Sequence, residues 1–187
     1  IRSPKMLKPI VKILINNKAS WLTVPVKSKG QYNELIKNIM IDHSKNWVEG
    51  FSKTIFHNYH KCPYYELHGH KIIEIFKKKQ KYLIDLNIEL IEYISNHFKI
   101  NRKIIFSSSL TLRKKKGDKI LEILKLLNAN EYVTGTGSKK YLDEKIFEKE
   151  NIKLSFLNKH LNFKNDEKSP KEDLSVLDYI LKSNKSL

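Results

Sequence analysis

The hydrophobic and polar positions fall into two rhythms along the chain. Residues 19–26, ASWLTVPV, read as a strand: Trp21, Thr23, Val24 and Val26 favour the pleat, and Pro25 marks an edge or a strand end. A turn is expected at 28–33. Residues 35–41, LIKNIMI, then alternate as a second strand, with Ile36, Asn38 and Met40 opposite Lys37, Ile39 and Ile41. Together they predict an antiparallel pair near the N-terminus. The rhythm changes after Asp42 and Ser44, either of which can cap a helix. Trp47, Phe51, Ile55 and Tyr59 follow at four-residue steps, and Pro63 ends that helix. A long helix is predicted over 71–98, with its apolar stripe on Leu83, Leu86, Leu90, Ile91 and Ile94.

The C-terminal half alternates between the two periods. Residues 103–110, KIIFSSSL, read as a buried-type strand. Residues 117–130 read as an amphipathic helix on Ile120, Leu121, Leu124 and Leu127. EYVTGTG is a strand running into a loop, KKYLDEKIFEKEN a short helix, and residues 152–157 another strand. Strand, helix, strand, helix, strand is the order of parallel crossover units. A charged linker over 162–173 precedes a closing helix that packs through Leu174, Leu177, Ile180 and Leu181. The pattern predicts one α/β domain over 1–187: a small, mostly parallel sheet with flanking helices, an N-terminal strand pair, and more helix than strand.

Composition narrows the function classes. The 187 residues are 40% hydrophobic, enough for a real core, and no apolar run approaches the length of a membrane span. Cys62 stands alone, which fits a reducing cytoplasm. The formal charge is +16, which raises nucleic acid, anionic surfaces and phosphorylated small molecules as partners. Only Arg2, Arg102 and Arg113 are arginines, although arginine is the preferred bidentate reader of phosphate and guanine. Lysine, isoleucine and asparagine together are what A+T-rich codons produce, so much of the charge reads as solvated lysine faces. The runs FKKKQK and LRKKKGDK also lack the interleaved aromatics of a single-strand platform. A basic nucleic-acid-binding module without catalysis is therefore the second reading, behind a small-molecule enzyme.

The stretch YVTGTGSKKYLDE carries the clearest candidate chemistry. Its loop follows a strand C-terminus, where open α/β sheets place ligands. Gly135 and Gly137 can take positive φ or admit a ligand to the backbone, and a β-branched residue at either is expected to cost about 1–3 kcal/mol in strain. Ser138, Lys139, Lys140 and the amides of the next helix can hold an anion. The spacing is neither GxxxxGK[ST] nor GxGxxG, since Tyr141 and Leu142 occupy the place of a third glycine. Ser107, Ser108 and Ser109 end the strand KIIF, so adjacent strands would bring them beside this loop. Asp143 can act as a base for an amine or stabilise a helix N-terminus, and Asp178 is a second acid of this kind. His57, His60, Cys62, His68 and His70 crowd into a short stretch, but their spacing fits no standard ligand pattern, and no metal site is assigned.

The order of these stretches resembles the WbqC-like protein family. YVTGTGSKKYLDEKIFEKENIKLSF resembles the family's Tyr-(Leu/Ile)-Ser-Gly-x-(Gly/Ser)-(Gly/Ala)-x-x-Tyr-Leu-Asp pattern and the strand after it. WLTVPVK is the most distinctive element. NWVEGFSKTIFHNYHKCPYY resembles the family's Trp-Lys-x-Ile-x-x-x-Tyr-x-x-x-Pro-Tyr-Phe helix, IFSSSL stands in the expected place, and LSVLDYILKSN resembles the closing segment. The resemblance covers about residues 12–184. The family's His-Gln-Pro-(Asn/Ser)-Tyr motif is missing, and LKPIVKI replaces its polar lead-in, so an N-terminal segment is expected to be absent. The resemblance implies a bacterial cytoplasmic enzyme of O-antigen or other surface-polysaccharide synthesis, transferring an amino acid such as glycine to a nucleotide-linked amino sugar. On that reading Asp143 and Ser138 are the catalytic candidates. Gly135, Gly137, Lys139, Lys140, Tyr141, Ser107 and Ser108 are the substrate- or phosphate-binding candidates. The implied partner is a nucleotide-activated sugar or another phosphorylated small molecule. No cofactor is specified.

Overall fold

The computed structural model describes residues 10–16, 18–27, 34–114, 116–140, 142–157 and 174–183. The turn expected at 28–33, the linker at 162–173 and Tyr141 lie outside the described residues. The chain divides into two compact units, one of residues 1–101 with 170–187 and one of residues 102–169. Helix outweighs strand among the described residues, and the sheets are one antiparallel and one parallel pair.

The larger unit begins with an antiparallel hairpin, β1 (Ile10–Ile15) and β2 (Lys18–Thr23), in the register Ile13↔Ser20. Asn16 turns the chain with φ 50°, a left-handed conformation that asparagine tolerates. The N-terminal strand pair is therefore present, but β2 takes its partner from the preceding IVKILI segment. Residues 35–41 do not form a full strand. They make a 3-10 turn, Ile36–Asn38, and then Met40 and Ile41 form isolated bridges to Tyr82 and Val26.

Three helices follow: α1 (Trp47–Tyr59), α2 (Tyr65–Lys77) and α3 (Leu83–His97). α1 buries Val48, Phe51, Ile55 and Tyr59, close to the expected stripe. The predicted long helix is two helices, broken where Lys79 adopts φ 52°. The break has a tertiary cause. Lys81 and Leu83 are drawn into backbone pairing, with Ile41 N–H donating to Lys81 C=O at 2.9 Å and Leu83 N–H to Ile39 C=O at 2.9 Å. A continuous helix would use those groups internally. The closing helix, α6 (Val176–Lys182), belongs to this unit and packs on α2 and β1. Ser175 caps it by accepting from Leu177 N–H at 3.2 Å. Leu177, Ile180 and Leu181 join Ile13, Ile55, Tyr65 and Ile72 in one apolar core.

The smaller unit is α4 (Lys116–Leu126), β3 (Glu131–Gly135), α5 (Glu144–Lys149) and β4 (Lys153–Leu157). β3 and β4 pair in parallel, with Glu131 opposite Lys153 and Gly135 opposite Leu157. Leu124, Leu142, Phe147 and Ile152 form the core, and the Tyr132 ring stacks on Phe147 at 6.0 Å. The expected third strand is absent: residues 101–106 have no regular structure and Ser107–Ser109 form an exposed 3-10 turn. β-branched and aromatic residues suit a pleated surface, but a strand also needs a partner edge, and no ladder among the described residues takes this one.

The chain has few glycines, and other residues fill the left-handed positions after its helices. Lys99, Asn128 and Asn151 have φ 54°, 49° and 56°. At each end the next residue's amide reaches back to a carbonyl five residues earlier: Ile100 to Ser95, Ala129 to Leu124 and Ile152 to Phe147. These bonds are Schellman closures made without glycine.

Candidate functional site

In the smaller unit the glycine-serine-lysine loop follows the C-terminal end of β3 as a 3-10 turn, Thr136–Lys140. Neither Gly135 nor Gly137 adopts positive φ, and a Cβ on either would meet nothing within 4 Å. The expected backbone strain on substitution is corrected accordingly: these positions are open, and their conformation suits other residues. Ser138 is buried and its hydroxyl donates to Gly135 C=O at 2.7 Å, so it staples the turn. The Lys139 ammonium lies 4.8 Å from the centre of the Phe156 ring, a cation–π contact, and Lys140 is exposed. Asp143 caps α5, its Oδ1 accepting from Lys145 N–H at 3.1 Å. The loop, Asp143 and the start of α5 are thus contiguous. Ser107 and Ser108 are exposed, and Ser109 donates to Phe106 C=O at 2.8 Å. With no strand at 103–110, neighbouring strands do not deliver these serines to the loop's sheet edge.

The larger unit holds a buried polar cluster that sequence patterning did not assemble. Asp178 on α6 is 5% exposed. It accepts from the Tyr59 hydroxyl at 2.5 Å and from the Lys182 ammonium at 3.0 Å. Tyr59 in turn accepts from Leu14 N–H at 3.2 Å. Burial, and then the hydrogen bond to Asp178, push the Tyr59 phenol well above its usual range, so it stays a neutral donor. Burial also pushes the half-buried Cys62 thiol up, while Lys182 opposes that shift and Asp178 adds to it. Asp178 was legible as an acid in LSVLDY. Its partners were not, because Tyr59 is far away in sequence.

The histidines disperse. His68 is buried, bonded through Nδ1 to the Tyr93 hydroxyl at 2.7 Å, with Nε2 unpartnered among the described residues. Burial, then the neighbouring His97, hold its imidazole below the ordinary range. His70 faces Glu66 at 3.2 Å, and His60 bonds Phe56 C=O at 2.9 Å. Among the described residues no three His, Cys, Asp or Glu side chains converge as a metal site would need. No helix among them is long and apolar enough to cross a membrane.

A depression of about 330 Å³ in the larger unit is lined by Lys27, Met40, Ile41, Asp42, His43, Ser44, Lys79 and Lys81. Its walls are tied by backbone bonds on both sides of residues 40–42. Lys27 N–H donates to Met40 C=O at 3.0 Å, Asp42 N–H to Pro25 C=O at 2.9 Å, and Ile41 N–H to Lys81 C=O at 2.9 Å. His43 Nε2–H donates to Gln80 C=O at 2.9 Å, since a carbonyl only accepts. The Asp42 carboxylate accepts from Ser44 N–H and from the Ser44 hydroxyl, at 3.0 and 2.6 Å, and those bonds hold it below the usual carboxylate range. WLTVPVK and FKKKQK lie far apart in sequence; the fold brings Lys27 of one and Lys79 and Lys81 of the other to one depression.

Comparison with known proteins gives one family match, to the model described as the WbqC-like protein family, over residues 10–186. A protein of Mycobacterium tuberculosis (strain ATCC 25618 / H37Rv), named "Uncharacterized protein Rv1507c", is 24% identical over 137 residues. That alignment covers 73% of this chain and 59% of the relative, so the chain spans well under two thirds of that protein. No solved structure matches.

Proposed function

The chain belongs to the WbqC-like protein family, and from that premise we propose that it is a cytoplasmic enzyme of O-antigen or other surface-polysaccharide synthesis. It transfers an amino acid, of the glycine type, onto a nucleotide-linked amino sugar. The observation that carries this reading is the family match over residues 10–186, which includes both the β3 loop and the closing helix. In the transfer, the neutral sugar amine attacks an activated acyl carbon, the amide bond forms, the acyl leaving group departs, and the amine proton goes to a base.

The smaller unit supplies groups suited to parts of this chemistry. Asp143 uses Oδ1 in its cap, and its other carboxylate oxygen has no partner among the described residues and can take the proton. Gly135 and Gly137 leave the turn backbone uncovered, and Lys139 and Lys140 stand beside it to balance phosphate charge. Ser138 contributes by holding the turn. The test is purified protein with a panel of nucleotide amino sugars, read first by thermal shift and then by mass spectrometry for an added aminoacyl group. Stabilisation by one sugar nucleotide and formation of its aminoacyl amide are expected. No shift with any member of the panel would overturn the reading.

A further inference from the structure

The depression in the larger unit gathers three lysines at one place on the surface. Lys53, Lys71, Lys78, Lys125, Lys153 and Lys182 each pair with a carboxylate. Lys78, directly beside the depression's Lys79 in sequence, pairs with Glu89. Lys27, Lys79 and Lys81 make no ion pair with a carboxylate among the described residues, although all three line the same cavity. The Lys81 ammonium lies 5.2 Å over the Tyr82 ring, a contact that holds the charge without neutralising it. Asp42 is the one carboxylate in the lining, and its Oδ1 accepts from both the N–H and the hydroxyl of Ser44.

Three lysines that line one depression repel one another where their ammonium groups approach it, and a bound anion reverses that repulsion. Their spacing is set by the backbone: residue 27 and residue 81 lie on opposite sides of residues 40–42, each hydrogen-bonded to them. The lysines come from two sequence runs held in register by those bonds, so they do not form one helix's solvated face. A volume of about 330 Å³ is at the lower end of small-ligand cavities, roughly 300–1,000 Å³. It has room for a phosphate or diphosphate group.

We propose that the cavity bounded by Lys27, Lys79 and Lys81 is an anion site that binds the phosphate or diphosphate group of a small molecule. The lysines act as point charges around the group, and Asp42 and His43, fixed by Ser44 and the Gln80 carbonyl, form the polar wall. This inference rests on the geometry of the larger unit and stands apart from the transfer reading.

The test is calorimetry on the whole chain with inorganic pyrophosphate and with a nucleoside diphosphate, at fixed ionic strength. Wild type is compared with the triple variant Lys27→Gln, Lys79→Gln, Lys81→Gln. Lys78→Gln and the pair Lys53→Gln, Lys71→Gln serve as charge controls. The triple variant is expected to weaken pyrophosphate binding at least tenfold, with the controls within about twofold of wild type. The three side chains are exposed, so folding should survive. The single Lys79→Gln variant carries the same reading, with a smaller loss, if the triple variant is unstable. Equal binding of pyrophosphate and nucleoside diphosphate identifies a site for free phosphates, and tenfold tighter binding of the nucleoside diphosphate identifies a nucleotide site; both support the proposal. Equal weakening in variants and controls would overturn it, because diffuse positive charge would then account for binding. So would loss in the triple variant confined to nucleic acid. Pyrophosphate binding that the triple variant retains, together with stabilisation by an amino-sugar nucleotide, would remove this site while leaving the transfer reading intact. Pyrophosphate binding lost in the triple variant, with no response to any sugar nucleotide, would do the reverse.

Discussion

The hydroxyl of Tyr59 donates to the carboxylate of Asp178 at 2.5 Å, linking α1 to a helix 119 residues further along the chain. The same oxygen accepts from Leu14 N–H, so one side chain joins β1, α1 and α6. Tyr59→Phe removes a donor from a buried carboxylate and an acceptor from a buried amide. An expected cost is about 1–3 kcal/mol, measured by urea melts at neutral pH. The pH dependence has a definite sign. The folded state holds the phenol proton more tightly than the unfolded chain, whose phenol titrates near 10. Above about pH 10 the unfolded chain loses that proton first, so Tyr59's contribution to stability is present below that pH and declines above it. Melts from pH 8 to 10.5 should show a shallower decline in Tyr59→Phe.

His68 has the opposite sense. Its imidazole is held below the ordinary 6.5 by burial, so the unfolded chain takes up the proton more readily. Stability should be full above about pH 6.5 and fall as the pH drops below it. Replacing His68 with Gln removes the titration. Denaturant midpoints at pH 7.5 and pH 5 should then differ less than in wild type, even though the variant starts from a lower stability.

Gly69 lies inside α2, where an ideal Cβ would come 2.3 Å from Cε2 of Tyr65. Tyr65 is itself buried, so its ring has little freedom to move. Gly69→Ala gains about 1 kcal/mol of helix propensity but overpacks the core by about 1–3 kcal/mol. The net expectation is a loss of up to about 2 kcal/mol. In a double-mutant cycle with Tyr65→Leu the two costs should be less than additive, because the shortened side chain vacates the space.

Gly135→Val should behave differently. Nothing lies within 4 Å of the added Cβ and the backbone is not left-handed, so the change in stability should stay within about 0.5 kcal/mol. If the turn contacts a sugar nucleotide, the same variant should reduce the ligand-induced thermal shift without changing the melting temperature of the free protein.

Periodicity alone determined much of this chain. Phe51, Ile55 and Tyr59 recur at helical spacing and are buried, and EYVTG and KLSFL flank a short helix and pair in parallel. These features depend on neighbours within a few turns or on one short crossover, so local sequence carries them. Other outcomes depended on partners the sequence does not name. KIIF has the residues of a strand, yet no edge among the described residues pairs with it, because β-propensity describes a fit to a surface that other segments must supply. The helix expected over 71–98 breaks at Lys79 because residues 81 and 83 bond to the backbone of residues 41 and 39. The same bonds carry Lys79 and Lys81 to the cavity that Lys27 also lines. Which lysines share a cavity, and which carboxylate a buried tyrosine meets, follow from contacts between distant segments, and only the folded chain brings those segments together.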